Sequence, residues 1–250
     1  MLRAILFDLD DTLIDWAHFE SRWEDLEVGH VRGVFDYICT APTVEGAFEH
    51  YLDEFLRRTR DAWSSARSTL IAPHVGTILM ETAAAVGVPD GTLDLKASLT
   101  AYAWGRVDGT SVFDDVPDVL PQLAARGLRF GIVTNAFAPM WLRDAELEEH
   151  DLLQYFPECR FSAADVGVLK PHPEIFNAAL GCLGTTPEET VFVGDNPVAD
   201  IAGAQAAGMR AVLRVKKPAV PLLSGLVMPD AAINSLHELI PVLDEWFPGW

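Results

Sequence analysis

Basic residues are scarce in this chain: 18 lysines and arginines stand against 37 aspartates and glutamates, for a net charge of -19. That balance opposes long-range attraction to nucleic acid or to an anionic membrane, so neither is an expected partner. Any anionic ligand must instead be held by local positive groups: a metal ion, a lysine or backbone amides. Cysteine is scarcer still. Cys39, Cys159 and Cys182 are odd in number and widely spaced, with no C-x-x-C pair, which predicts reduced cysteines in the core and excludes a disulfide frame or a zinc site. No stretch approaches ~18 uninterrupted apolar residues, and the first residues run straight into an apolar segment with no basic and apolar signal region before it. The expectation is a cytoplasmic protein that neither crosses nor binds a membrane. Internal repeats and low-complexity tracts are also missing.

What the chain does have is length and apolar content, 250 residues of which half are hydrophobic, enough for one large domain or a core with a smaller insertion. Its opening run, Ile5-Leu6-Phe7, does not alternate with polar residues and so reads as a strand buried on both faces, at the centre of a parallel sheet. The run stops at Asp8-Leu9-Asp10. Two residues apart in extended backbone, Asp8 and Asp10 project to the same side, just beyond the carboxyl end of a strand, where open α/β sheets place their ligands. An isolated D-x-D also serves as an acidic turn. As a functional pair it is costly unless a cation is bound or one carboxyl keeps a proton. Either suits phosphoryl transfer, with Asp8 as nucleophile and a protonated Asp10 as the acid for the leaving oxygen.

From Phe19 to about Trp104 the spacing turns helical. Phe19, Trp23, Leu26, His30 and Val34 share one face, as do Val44, Phe48, Tyr51, Leu52 and Phe55. Two more helices are expected over Gly76–Val86 and Thr92–Trp104, with breaks at Pro42-Thr43, Pro73 and Pro89-Asp90-Gly91. After that, strands and helices alternate: a helix over Val116–Arg126, a strand over Leu128–Val133, a helix over Trp141–Leu153, a short strand over Cys159–Ser162 and a helix over Pro173–Leu183. A strand over Val191–Val193, a helix over Asp200–Ala207 and a strand over Ala211–Val215 come next. Residues 216–229 read as a proline-bearing loop, Ala231–Ile233 as an edge strand and Leu236–Trp246 as a closing helix. This order predicts an α/β fold, a Rossmann-like parallel sheet with helices on both faces. The expected core is 1–14 and 111–250, with an all-helical domain inserted at 15–110.

Several apolar runs end in polar residues: Asp8 and Asp10, Thr134 with Asn135, Asp195 with Asn196. A parallel sheet gathers them on one edge, and Lys170 adds a cation from a loop. The stretches Phe7-Asp8-Leu9-Asp10-Asp11-Thr12-Leu13, Val133-Thr134-Asn135, Lys170-Pro171-His172-Pro173 and Val193-Gly194-Asp195-Asn196-Pro197-Val198-Ala199-Asp200 together resemble the haloacid dehalogenase-like (HAD) superfamily. Most of its members are phosphatases. The helical insertion stands where the subclass with an α-helical cap carries that cap.

The resemblance implies that Asp8 is a nucleophile forming an aspartyl-phosphate and Asp10 the general acid/base. It implies Mg²⁺ held by Asp8, the backbone carbonyl of Asp10 and Asp195, with Asp200 orienting that shell. Thr134 and Asn135 would bind the phosphoryl group and Lys170 would balance its charge. Trp16 and His18, directly after the nucleophile loop, are the expected substrate-facing residues, and Asp15-Trp16 and Gly109-Thr110 the expected hinges. The implied function is a Mg²⁺-dependent phosphatase acting on a small phosphorylated metabolite, as monomer or homodimer. A 2-haloacid dehalogenase is the enzymatic alternative, disfavoured because displacing halide needs no acid at position 10; a non-catalytic phosphate-binding or regulatory protein of the same fold is the other.

Overall fold

The computed structural model describes residues 1–39, 48–215 and 227–250. In chain order its elements are β1 (Ala4–Phe7), β2 (Ile14–Asp15), α1 (Trp23–Cys39), α2 (Phe48–Thr69), α3 (Val75–Ala85), α4 (Leu95–Tyr102), β3 (Ser111–Val112), α5 (Val116–Ala125), β4 (Arg129–Thr134), α6 (Met140–Glu149), β5 (Arg160–Ser162), α7 (Ala163–Val166), α8 (Pro173–Leu183), β6 (Thr190–Gly194), α9 (Gly203–Ala206), β7 (Arg210–Arg214), β8 (Ala231–Ile233) and α10 (Leu239–Trp246). The expected break at Pro42-Thr43, Val44 on its helix face, and 216–226 of the proline-bearing loop lie outside the described residues.

Six strands pair in the order β5-β4-β1-β6-β7-β8, each in parallel register with its neighbour. β1 is therefore flanked on both sides, and its unalternated apolar sequence follows from having two apolar faces to fill. Ile5 and Phe7 enter one core with α5 and α10, while Ala4 and Leu6 enter another with α8 and α9. β6 divides the same way, Val191 and Val193 to the first core and Phe192 to the second. β5 and β8 are the two sheet edges.

Helices α1 to α4 bury a third cluster, built on Val31, Val34, Phe35, Tyr51, Phe55, Leu79 and Tyr102. It is continuous with Ala138 and with Leu142 of α6, so the helical layer shares apolar contacts with the sheet domain. Backbone bonds add to this: Ala72 donates to the Gly167 carbonyl at 2.9 Å, Leu169 to Leu70 at 2.8 Å and Val75 to Phe137 at 2.8 Å. At the base of the layer, β2 and β3 form a two-residue antiparallel pair, Ile14 opposite Val112 and Asp15 opposite Ser111. Two residues are too few to show an alternation, so sequence pattern does not reveal this pair. Gly109, at φ +85, packs against the His18 carbonyl where a Cβ would clash, and the two connections thus touch.

The cysteine expectation is overturned. Cys159 and Cys182 form a disulfide across 23 residues of sequence, with Cα atoms 5.7 Å apart, because α8 packs its last turn over the start of β5. Cys39 is free but exposed at the end of α1, not buried. The cysteine part of the case for a reducing compartment falls with this pairing. No helix of the described residues is long and apolar enough to cross a membrane. Titration of the native protein with a thiol reagent is expected to count one thiol, and three after reduction and unfolding; three in the native state would contradict the disulfide.

Inside the helical layer, Tyr102 donates its hydroxyl to Glu27 at 2.7 Å. Burial pushes the Glu27 carboxyl up to about 7, opposed only in part by that bond. The native state therefore holds this proton more tightly than the unfolded chain, and stability falls as pH rises from the ordinary glutamate range toward 7. Glu27→Gln keeps an acceptor for Tyr102. It should be near neutral at pH 4.5 and stabilise the protein at pH 8 by up to about 3 kcal/mol, read as a shift in denaturant midpoint at the two pH values.

Candidate active site

The carboxyl ends of three adjacent strands, β4, β1 and β6, deliver Thr134, Asp8 and Asp195. Asp8 continues the ladder, its amide donating to the Val193 carbonyl at 2.9 Å. The loop beyond it is pinned by Leu9 and Leu13, both fully buried, and by the amides of Leu13 and Ile14 converging on the Leu9 carbonyl at 2.9 and 3.0 Å. Asp11, at φ +63, makes the turn. Thr12 donates to Asp8 Oδ2 at 3.3 Å.

Lys170 reaches this point from the loop after α7. Its Nζ lies 2.6 Å from Asp8 Oδ1 and 2.6 Å from Asp200 Oδ1, and donates to the Val133 carbonyl at 2.8 Å. The Asn135 side chain holds that loop, accepting from the Lys170 amide at 2.7 Å and donating to its carbonyl at 3.1 Å. The bonds from Leu70 and Ala72 tie the same loop to the end of α2. Asp200 sits in a π-helical turn, Pro197–Ala202, whose N-cap is Asn196. The helix expected from Asp200 thus begins earlier, and Asp200 faces inward from it. Gly194 makes room, since a Cβ there would lie 2.5 Å from the Asp200 carboxylate.

Asp8, Asp195 and Asp200 bring carboxylate oxygens within 4.8 Å of one another. Burial pushes the Asp8 carboxyl well above the usual range; Asp200, Asp195 and Asp10 push it further and Lys170 opposes them. Burial works against the Lys170 ammonium, yet Asp200 and Asp8 outweigh it and keep it charged. Lys170 pairs with two of these acids, Asp8 and Asp200, and a buried cluster of three carboxylates, all oxygen donors, fits a hard divalent cation such as Mg²⁺.

Asp10 is treated differently. Its carboxylate is outside that trio and is gripped by Arg143, Nη1 to Oδ2 at 2.8 Å and Nη2 to Oδ1 at 2.8 Å. Trp16 Nε1 donates to Oδ1 at 3.0 Å and Thr134 Oγ1 to Oδ2 at 3.3 Å. Burial would raise this carboxyl, but the Arg143 guanidinium and these bonds prevail and hold it below the usual range. Of the two remedies for the acid pair, a cation or a retained proton, this arrangement uses cations: each acid has its own buried partner, Lys170 for Asp8 and Arg143 for Asp10. Any metal contact from Asp10 is left to its backbone carbonyl.

Arg143 is the residue that sequence reasoning misses. It is 2 % exposed, on α6, one turn before the fully buried Glu146, whose Oε2 accepts from Arg143 Nε at 2.9 Å. The available signal is a charged pair three apart, Arg143 and Glu146, on the helix face that also carries Met140 and Leu147. Trp16 joins the site through Asp10 and stacks near Trp23, ring centroids 5.2 Å apart. The His18 side chain is exposed. Thr134 and Asn135 meet Asp10 and the Lys170 backbone, respectively, in this structure.

A family model for haloacid dehalogenase-like hydrolases matches residues 2–208. Phosphoglycolate phosphatase of Salmonella paratyphi A is 30% identical over 259 residues, covering 97% of this chain and 92% of that protein. Glyceraldehyde 3-phosphate phosphatase of Methanopyrus kandleri is 30% identical over 98% of both. Among solved structures, 2-haloacid dehalogenase from Pseudomonas syringae superposes with a TM-score of 0.64 at 26% identity, over 98% of this chain and 100% of that one.

If the acid trio holds Mg²⁺, the ion at about ten times its dissociation constant should stabilise the protein by about 1.4 kcal/mol, a rise of a few degrees in melting temperature. Asp195→Asn should remove most of that rise. An equal response in the variant would show that the ion binds elsewhere.

Proposed function

This chain belongs to the haloacid dehalogenase-like hydrolases, in their phosphatase branch, and we propose that it hydrolyses a small phosphate monoester through a phosphorylated Asp8 with the aid of Mg²⁺. The observation that carries this reading is the buried group of Asp8, Asp195, Asp200 and Lys170 at the carboxyl edge of the sheet, with a second acid, Asp10, beside it. A carboxylate nucleophile, an ammonium and a cation-binding trio are what transfer of a phosphoryl group to an aspartate requires.

Asp8 attacks phosphorus, forming the acyl-phosphate bond as the bond to the leaving oxygen breaks. Asp10, having taken up a proton from solvent before this step, passes it to that oxygen. A water molecule, losing its proton to Asp10, then cleaves the acyl phosphate to release phosphate and regenerate Asp8. Lys170 keeps Asp8 aimed, favours its ionised form, and balances charge on the transferred oxygens. Thr134 and the Asn135 backbone amide bind those oxygens, and the Asn135 side chain fixes the Lys170 loop. Asp8, Asp195 and the Asp10 carbonyl would hold Mg²⁺, with Asp200 orienting them; when bound it supplies positive charge against the phosphoryl oxygens. The helical layer is the cap, which shields the reaction from bulk water, and Trp16 lies where the organic part of the substrate leaves the phosphoryl site. Phosphoglycolate and glyceraldehyde 3-phosphate, named for the relatives, are the first substrates to test.

Purified protein should hydrolyse p-nitrophenyl phosphate only with Mg²⁺, and Asp8→Asn should lower turnover by at least about a thousandfold. Activity that survives the substitution, once contaminating phosphatase and deamidation are excluded, removes Asp8 as nucleophile. Asp10→Asn should slow an alkyl phosphate about a hundredfold more than the nitrophenyl ester, whose leaving group needs no proton. Equal losses would remove Asp10 as the acid.

A further inference from the structure

Asp10 accepts four hydrogen bonds, two at each oxygen: Arg143 and Trp16 at Oδ1, Arg143 and Thr134 at Oδ2. A carboxylate offers about four lone-pair sites. In this arrangement every one is filled, and none is left through which Asp10 can pass a proton to a leaving oxygen. At least one donor has to withdraw first.

Arg143 is built to let go. Its Nη2 lies 2.7 Å from Glu146 Oε2, so the guanidinium stays paired when Asp10 departs and no buried charge is stranded. Glu146 is in turn held by Trp104, whose Nε1 donates to Oε2 at 2.9 Å, while Oε1 is buried with no hydrogen-bond partner. The Arg143–Glu146 pair is thus complete without Asp10. The two indole donors come from the two chain connections of the helical layer: Trp16 directly follows β2 and Trp104 lies between α4 and β3. Any displacement of that layer about its connections moves both.

We propose that Arg143 is a positioning residue that, with Glu146, docks the Asp10 carboxylate in a resting arrangement, and that Trp16 and Trp104 set the strength of the dock from the two connections of the helical layer. Released from the guanidinium, Asp10 takes up a proton from water and passes it to the leaving oxygen; docked, it does neither. This rests on the reading of Asp10 as the acid and base of a phosphatase.

The test is the ratio of kcat/KM for glycerol 2-phosphate, which needs a protonated leaving oxygen, to that for p-nitrophenyl phosphate, which does not. Arg143→Gln weakens the dock and is expected to raise the ratio about tenfold, the weight of one charge-assisted hydrogen bond. Trp104→Phe keeps an aromatic ring against His30 and Arg143 and removes the donor to Glu146, which then draws harder on Arg143. It touches neither Asp10 nor the phosphoryl site, and is expected to raise the ratio about threefold, a smaller share of the same effect. A purely structural role lowers both activities together and leaves the ratio unchanged, and a role in aiming Asp10 at the leaving group lowers it; either result overturns the dock. If Arg143→Gln does not fold, Trp104→Phe decides. Failure of the unmodified protein to hydrolyse either ester would defeat the phosphatase reading and the dock with it, whereas turnover with an unmoved ratio defeats the dock alone.

Discussion

Lys170 stands 2.6 Å from both Asp8 and Asp200, all three are buried, and most of what positions the site can be traced to keeping that group together. Charges out of water are tolerated only when paired and hydrogen-bonded, and deleting one partner of such a group leaves the others uncompensated. The lysine must therefore arrive with little freedom. Its loop is clamped to Asn135 at the end of β4 and to the segment after α2, and its Nζ also takes the Val133 carbonyl. On the other side, Asp200 is brought in by a π-helical turn and seated against Gly194. Substituting any side chain at Gly194 would push on the carboxylate that anchors the ammonium.

The same constraint explains why two aspartates two residues apart end up with different chemistry. Asp8 shares its cation with Asp200 and lies beside Asp195, so burial and these acids keep its carboxyl high until more positive charge arrives. Asp10 has a guanidinium fork across both oxygens, which stabilises its ionised form. A planar fork matches a carboxylate in two places at once, and a lysine at position 143 would supply the charge without that geometry. One sequence motif thus yields two environments because the cations that serve it come from different elements, a loop after α7 and the middle of α6.

Residues that end apolar strands were legible in the sequence, since burial and position at the sheet edge follow from the same run of letters: Asp8 after Ile5-Leu6-Phe7, Thr134 after Ile132-Val133, Asp195 after Val191-Phe192-Val193. The two-faced parallel sheet was legible for the same reason. Arg143 and Glu146 were not, because a charged pair on a helix normally faces solvent, and only the approach of Trp104 and Asp10 from distant segments turns it inward. The disulfide escaped notice because cysteine spacing says nothing about which helix end lies over which strand. β2 and β3 were too short to carry a pattern.

The net charge of -19 adds a final constraint on any anionic substrate. Lys170 and Arg143 are bonded to Asp8, Asp200 and Asp10, and each is already matched by two carboxylates. A phosphoryl group approaching the trio meets side chains whose positive charge is spent on the protein's own acids, within a field that is negative overall. Among the described residues, the groups left to attract it act at short range: backbone amides and the Thr134 hydroxyl at the strand ends, and a divalent ion where the trio holds one. Short-range donors reward a tetrahedral oxyanion placed at the strand ends and give little to an anion elsewhere on the surface. An acidic protein built this way gains selectivity for the group it transfers, because its own charge repels anions that cannot reach that position.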